Sequence, residues 1–361
     1  MSLKTFSQIA ICTFGMLHIW NVPKNLTGFN KEKILMALYG YTIGEDRDQN
    51  PNNGKQLDVY RFLIPSAPTT SPITPTLVGT VNIAGTVTNA DLEGLATNPA
   101  TNRVSAVNEA RATDLPNDPG PVIVVNNVDQ PFAPAQVSPT RTPSNLVRFG
   151  FESGAGFSGQ QNALYNISGN KTANLGGEQV GSSLYKITTA NPGTISLVDA
   201  FGAPTTAAQI QGTQPTNPGK FADGLAIDNL NPGNTRAFAS DFRTSDGNGN
   251  NLYKVDLLTG ELSAPIALRN SSGQPLNVNA DSDLSFTNSG SQRLIGWLET
   301  GAVYEITGYQ DELTASGLGL GSATGTNGAG FATATLIGNV TLPNALASQP
   351  VQYEGFAIVN E

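Results

Sequence analysis

The sequence predicts an all-β fold, a β-propeller of five four-stranded blades closed by its C-terminal strand, with spacing that leaves room for a sixth. Three observations carry this expectation: a first-strand motif that recurs along the chain, an aromatic third-strand motif that follows it, and a tail that repeats the first-strand motif with nothing after it.

The first-strand motif opens at Asp91, reads Leu92-Glu93-Gly94-Leu95-Ala96-Thr97, and is followed by Val104-Ser105-Ala106-Val107-Asn108-Glu109. A second copy runs Ala222-Asp223-Gly224-Leu225-Ala226-Ile227-Asp228 into Ala237-Phe238-Ala239-Ser240-Asp241. A weaker copy pairs Asp283-Leu284-Ser285-Phe286 with Leu294 to Glu299. The third-strand motif places Tyr between aliphatic and charged residues, as at Val59-Tyr60-Arg61, Leu184-Tyr185-Lys186, Leu252-Tyr253-Lys254 and Val303-Tyr304-Glu305. Fourth strands follow at Thr76–Val81, Thr194–Val198 and Thr335–Gly338. Beyond residue 33 no window holds apolar residues at helical spacing for long enough to read as an amphipathic helix. A sheet this small cannot bury both faces alone, so neighbouring units must pack on one another.

The tail Tyr353 to Glu361 reads as a first strand, and Ala37-Leu38-Tyr39-Gly40-Tyr41-Thr42 reads as a second strand lacking its partner. Pairing the two would close the ring. First strands near Glu93, Asn145, Asp223, Asp283 and Glu354 give the count of five, unevenly spaced. The longest interval holds Gly-rich stretches at 152–159 and 169–181 and a Pro/Gln segment at 203–220, where a sixth unit would have to lie. Segments 110–144 and 308–331 read as long surface loops, the places where a rigid scaffold carries its binding residues.

Composition fits one all-β domain over residues 33–361. Apolar residues are 39% of the chain and charged residues 13%, so Asn, Ser, Thr, Gln and Gly must wet the surface. The 39 Gly and 23 Pro sit between β-branched and aromatic runs, where turns belong. A formal net charge of −9 argues against nucleic acid and anionic membranes as partners, since both require basic surfaces. Small molecules, glycans, proteins and cations remain open, and the chain is expected to act as a monomer.

Residues 1–32 read as a leader or extension. Residues 5–20 behind Lys4 are apolar but too short and polar for a membrane span, so a degenerate export signal and a plain extension are the alternatives. The first makes the chain extracytoplasmic or secreted. Cys12 and His18, the single residues of their types, both fall here, so zinc or copper sites and Ser-His-Asp or Cys-His catalysis are not expected of the rest of the chain.

The recurring motif places a carboxylate at the start of four first strands: Glu93, Asp223, Asp283 and Glu354. If first strands line the axis, the four converge on one mouth of the channel. Clustered carboxylates bind a cation, take up protons, or stay apart in water. Oxygen ligands without His or Cys suit Ca²⁺ or Mg²⁺. The alternative is that each caps its own turn through backbone amides. Acidic residues also close second strands, at Glu45, Glu109, Asp241 and Glu299, and Arg148 is a cation near the third unit.

Leu92-Glu93-Gly94-Leu95-Ala96 and Ala222-Asp223-Gly224-Leu225-Ala226 resemble inner-strand motifs of the gluconolactonase/SMP-type propellers, and of the phytase-like and SdiA-regulated propellers. The lactonase resemblance implies a divalent metal at the channel mouth, with Glu93 as a ligand and Asp223 as ligand and catalytic base. It covers some 40 residues of short motif, and the axial Asn ligands of that group have no assigned counterpart. A secondary metal candidate is the stretch from Asp241 to Asn250, where Asp246, Asn248 and Asn250 alternate as in a calcium loop, although the distal Glu and preceding helix of an EF-hand are missing and a plain hairpin reads as well.

Three functional classes follow. The first is an exported non-catalytic propeller that binds a ligand or protein at its loops and acidic mouth. The second is a Ca²⁺-dependent hydrolase of lactones or phosphate esters, with Asp223 directing water. The third is a structural module of an envelope or matrix.

Overall fold

The computed structural model describes residues 37–46, 55–83, 92–108, 124–137, 140–142, 153–170, 181–188, 193–198, 220–243, 249–310, 331–343 and 352–361. All lie within one unit, Met36–Glu361. The described residues form strands and turns without an α-helix. In chain order the strands are β1 Leu38–Asp46, β2 Lys55–Leu63 and β3 Thr76–Ile83; then β4 Leu92–Asn98, β5 Arg103–Asn108, β6 Val124–Asn126, β7 Ala135–Val137 and β8 Thr140–Thr142. They continue with β9 Ser153–Ser158, β10 Ala163–Asn170, β11 Gly181–Ile187 and β12 Thr194–Val198; then β13 Gly224–Ile227, β14 Ala237–Asp241, β15 Asn251–Lys254 and β16 Ile266–Arg269. The last are β17 Ser282–Phe286, β18 Leu294–Leu298, β19 Ala302–Thr307, β20 Phe331–Asn339 and β21 Tyr353–Asn360.

These strands pair as antiparallel meanders of four: β21-β1-β2-β3, β4-β5-β6-β7, β9-β10-β11-β12, β13-β14-β15-β16 and β17-β18-β19-β20. The last two join into one eight-stranded sheet through a parallel β16–β20 pair, and β8 adds a parallel edge to β12. The tail pairs as expected: Leu38 faces Asn360 and Tyr39 faces Val359, and Ala37 and Glu361 exchange backbone hydrogen bonds of 2.8 and 2.9 Å.

The first strands follow one another in a closed cycle, β21 beside β4, then β9, β13, β17 and β21 again. Five apolar clusters fill the spaces between successive units, each drawing on two of them; Leu164 and Tyr185, for example, pack against Ala96 and Val107 of the unit before. Where the last unit meets the first, Phe62, Trp297 and Phe356 stack at 5.2 to 6.1 Å between ring centres, each pair adding about 0.5–1.5 kcal/mol beyond its burial. The connection after β2 reinforces that seam, as Ile73 bridges Val340 in parallel and Arg293 donates to the Pro65 carbonyl.

Two sequence expectations change. The first strand of the third unit is Ser153–Ser158, inside the Gly-rich stretch 152–159 of the long interval that the sequence leaves open to a sixth unit, while Asn145, near which that first strand is expected, lies outside the described residues. Its small residues are a packing requirement: a Cβ at Gly154 would come within 2.4 Å of the Asp223 carbonyl, and one at Gly156 within 2.8 Å of Ile227. Low strand propensity is overridden by close approach of neighbouring backbones. Segment 110–144 is likewise more than a surface loop, since it supplies β6, β7 and β8. No sixth meander occurs among the described residues, and residues 1–32, 203–219 and 311–330 lie outside them.

Candidate functional site

The cycle of first strands brings one position of each unit to the same level: Glu93, Ser153, Asp223, Ser282 and Glu354. Each is followed by a small or special residue, namely Gly94, Gly154, Gly224, Asp283 and Gly355. The glycines are there because the axis is crowded. A Cβ at Gly224 would stand 3.1 Å from the Asp283 Cα of β17, and Gly355, at φ +67°, would press on Leu95 of β4 at 2.5 Å. Asp283 thus aligns with the glycines, and the residue of its strand that aligns with Glu93, Asp223 and Glu354 is Ser282.

A small cavity sits at the level of the acidic residues, lined by Glu93, Ser153, Asp223, Asp281, Ser282 and Glu354, with Trp297 at its wall. It has room for about one water-sized guest. Glu93 is buried and its Oε2 accepts a 2.9 Å hydrogen bond from the Ser153 amide. Asp223 is 1% exposed; its Oδ1 accepts the Ser282 hydroxyl at 2.8 Å, while its Oδ2 is buried without a hydrogen-bond partner. The Ser153 hydroxyl is in the same condition. Burial pushes the Asp223 carboxyl well above the ordinary range, the charges of Asp281 and Asp241 push it further, and the Ser282 hydroxyl pulls the other way.

Glu354, on β21, also forms a triad with Asp281 and Glu299, one carboxylate oxygen from each lying within 4.8 Å of the others. Burial raises Glu299, and the neighbouring Asp281 raises it further. Arg243 forms an ion pair with Asp281, and Gln352 donates to Glu299 at 3.0 Å. Asp241, at the end of β14, is buried and accepts the Arg243 amide at 3.0 Å.

Asp283 is fully buried and is not among the residues that line this cavity. Its Oδ1 accepts the amides of Leu225 and Leu284 at 3.2 and 2.8 Å, and its Oδ2 those of Leu95 and Phe356 at 3.3 and 2.9 Å. Burial drives its pKa well up, opposed by these four donors. Both oxygens face N–H groups, an environment that hydrogen-bonds the ionised form.

Of the expected metal residues, Glu93, Asp223 and Glu354 therefore meet at one cavity and Asp283 does not share it. In the secondary candidate, Asp246 and Asn248 lie outside the described residues. Asn250 is spent as a staple, donating to the Val278 carbonyl at 3.0 Å and accepting the Val278 amide at 2.9 Å. Arg148, Glu109 and the Glu45 side chain also lie outside the description. Sequence reasoning missed Asp281, Ser153 and Ser282. The signal was the glycine after each acidic residue: aligning on it puts Ser282, not Asp283, in register, and Asp281 lines the cavity from the residue just before β17. No protein-family model matches the chain, and no curated protein matches it.

Proposed function

We propose that the chain is a five-bladed propeller working as a non-catalytic binding module, with a divalent cation held at one mouth of its axis. The observation that carries this reading is the Oδ2 atom of Asp223, buried in a carboxylate-lined cavity with no hydrogen-bond donor. A buried carboxylate oxygen left unpaired costs more than a hydrogen bond returns, and a cation removes that cost. Glu93, Asp281 and Glu354 supply further anionic oxygens, and the Ser153 hydroxyl a neutral one. An all-oxygen set with flexible carboxylates suits Ca²⁺. The five meanders, the cyclic order of first strands and the apolar clusters between successive units support the five-bladed arrangement.

A cavity sized for an ion rather than a substrate, above an axis occupied by Asp283, favours a binding role over hydrolysis. A ligand would meet the cation from the outer side, where Arg243, Glu299 and Gln352 form the rim. The tests are a thermal melt and a fluorescence titration. Trp297 lines the cavity, so in a Trp20→Phe background it reports cation entry directly. Calcium at about one hundred times its Kd should add about 2.7 kcal/mol of stability, and Asp223→Asn should abolish both responses. A melt and a Trp297 signal indifferent to chelator and to added calcium refute the reading. Calcium-dependent turnover of a lactone or phosphate ester, lost in Asp223→Asn, would replace the binding role with the hydrolytic one.

A further inference from the structure

We infer that Asp283 is the positioning residue of the cation site, an inference that rests on the reading just given: it is no ligand, but it sets the spacing of the ligands. The three amides it receives from other strands belong to Leu95, Leu225 and Phe356. Each lies two residues beyond a cavity carboxylate, Glu93, Asp223 and Glu354 respectively. One side chain therefore ties β4, β13 and β21 to its own strand at a fixed remove from the three groups that must converge on an ion.

The arrangement depends on the glycine layer. Gly94, Gly154, Gly224 and Gly355 leave the axis open at the level of Asp283, and a Cβ at Gly154 would lie 2.6 Å from its Oδ1. Only one of five equivalent positions carries a side chain, and that side chain spans the axis. The amides it binds point away from the neighbouring strand of their own sheets, so the ladders do not compete for them. Chains of first strands joined only through packed faces could slide by fractions of an ångström; a carboxylate with both oxygens doubly occupied removes that freedom. Groups that orient ligands in this way alter metal affinity about 10- to 100-fold when replaced.

The experiment is calcium titration of the full chain in the Trp20→Phe background, read by Trp297 fluorescence and calorimetry, comparing wild type, Asp283→Asn and Arg236→Met. Asn keeps the shape but turns an NH₂ toward two amide donors, so at least one pair of bonds is lost. Asp283→Asn should weaken calcium binding at least about tenfold. Arg236→Met breaks a buried ion pair away from the cavity and should change affinity less than about twofold, however much it lowers the melting temperature. Wild-type affinity in Asp283→Asn, or equal loss in both variants, overturns the inference. Hydrogen exchange on the unsubstituted chain decides the matter if Asp283→Asn does not fold: the Leu95, Leu225 and Phe356 amides should exchange as slowly as ladder amides, and fast exchange overturns the clamp. If wild type ignores calcium, the cation reading falls and the positioning role with it, while slow exchange at those amides would still uphold the clamp as a tie between strands.

Discussion

Replacing Gly154 by Ala tests the crowded axis directly. The added Cβ would stand 2.4 Å from the Asp223 carbonyl, 2.6 Å from the Asp283 carboxylate and 2.6 Å from the Gly224 Cα. Two of these are backbone atoms and the third belongs to a side chain held by four amides, so none can rotate away. Overpacking of this kind costs about 1–3 kcal/mol. Displacing Asp283 would weaken hydrogen bonds to a charged group worth about 1.5–3 kcal/mol each, against a gain of about 0.4–1 kcal/mol from the stiffer unfolded chain. The net expectation is a loss of about 2–4 kcal/mol by this bookkeeping. Gly273→Ala is the control: at φ +77° with nothing within 4 Å, it should lose about 1–2 kcal/mol from backbone strain alone. Equilibrium urea denaturation followed by Trp fluorescence, without calcium, measures both. A Gly154→Ala loss below about 1 kcal/mol, outside the overpacking range, would refute the crowded axis.

Arg236 and Asp228 form a buried pair at 2.6 Å, Asp228 also accepting the Leu230 and Asn231 amides at 3.0 Å; Arg236→Met should cost about 3–5 kcal/mol in the same denaturation assay, because a buried charge is left behind. Tyr165 is fully buried, its hydroxyl has no partner, and burial with the charge of Asp256 pushes its pKa to about 12. Unfolding exposes a phenol that ionises near pH 10, so the unfolded state binds fewer protons and the melting temperature should fall as pH rises from about 10 to 12; Tyr165→Phe should flatten that fall and be neutral or stabilising at pH 7. Deleting residues 353–361 removes β21 with Phe356 and Ile358 from the closing seam and should abolish the cooperative melt in circular dichroism.

Most of the architecture was legible because it rests on local chemistry repeated in tandem. The Tyr-centred third strands fall on β2, β11, β15 and β19, and the tail pairs with the head in the expected place. The third unit's first strand was hidden because Ser153-Gly154-Ala155-Gly156 has turn composition, and its reason for being a strand is the backbone of β13 packed against it. The same blindness affected the site. Glu93, Asp223 and Glu354 carry the motif and line one cavity, whereas Asp283 imitates it one residue out of register. Its role depends on amides from three distant segments, and Ser153 enters the cavity only through the fold.

The paired backbones of Ala37 and Glu361 bear on how the polypeptide can be re-cut. Since the two residues already exchange both hydrogen bonds, a splice of a few residues would connect them without disturbing either strand once residues 1–36 are removed. The exposed turn at 271–274, beyond β16, is then a natural point for new ends. Such a circular permutant would leave every ladder intact while placing the opening in a hairpin far along the sequence from the original seam, an independent check that closure, and not the order of synthesis, holds the molecule together.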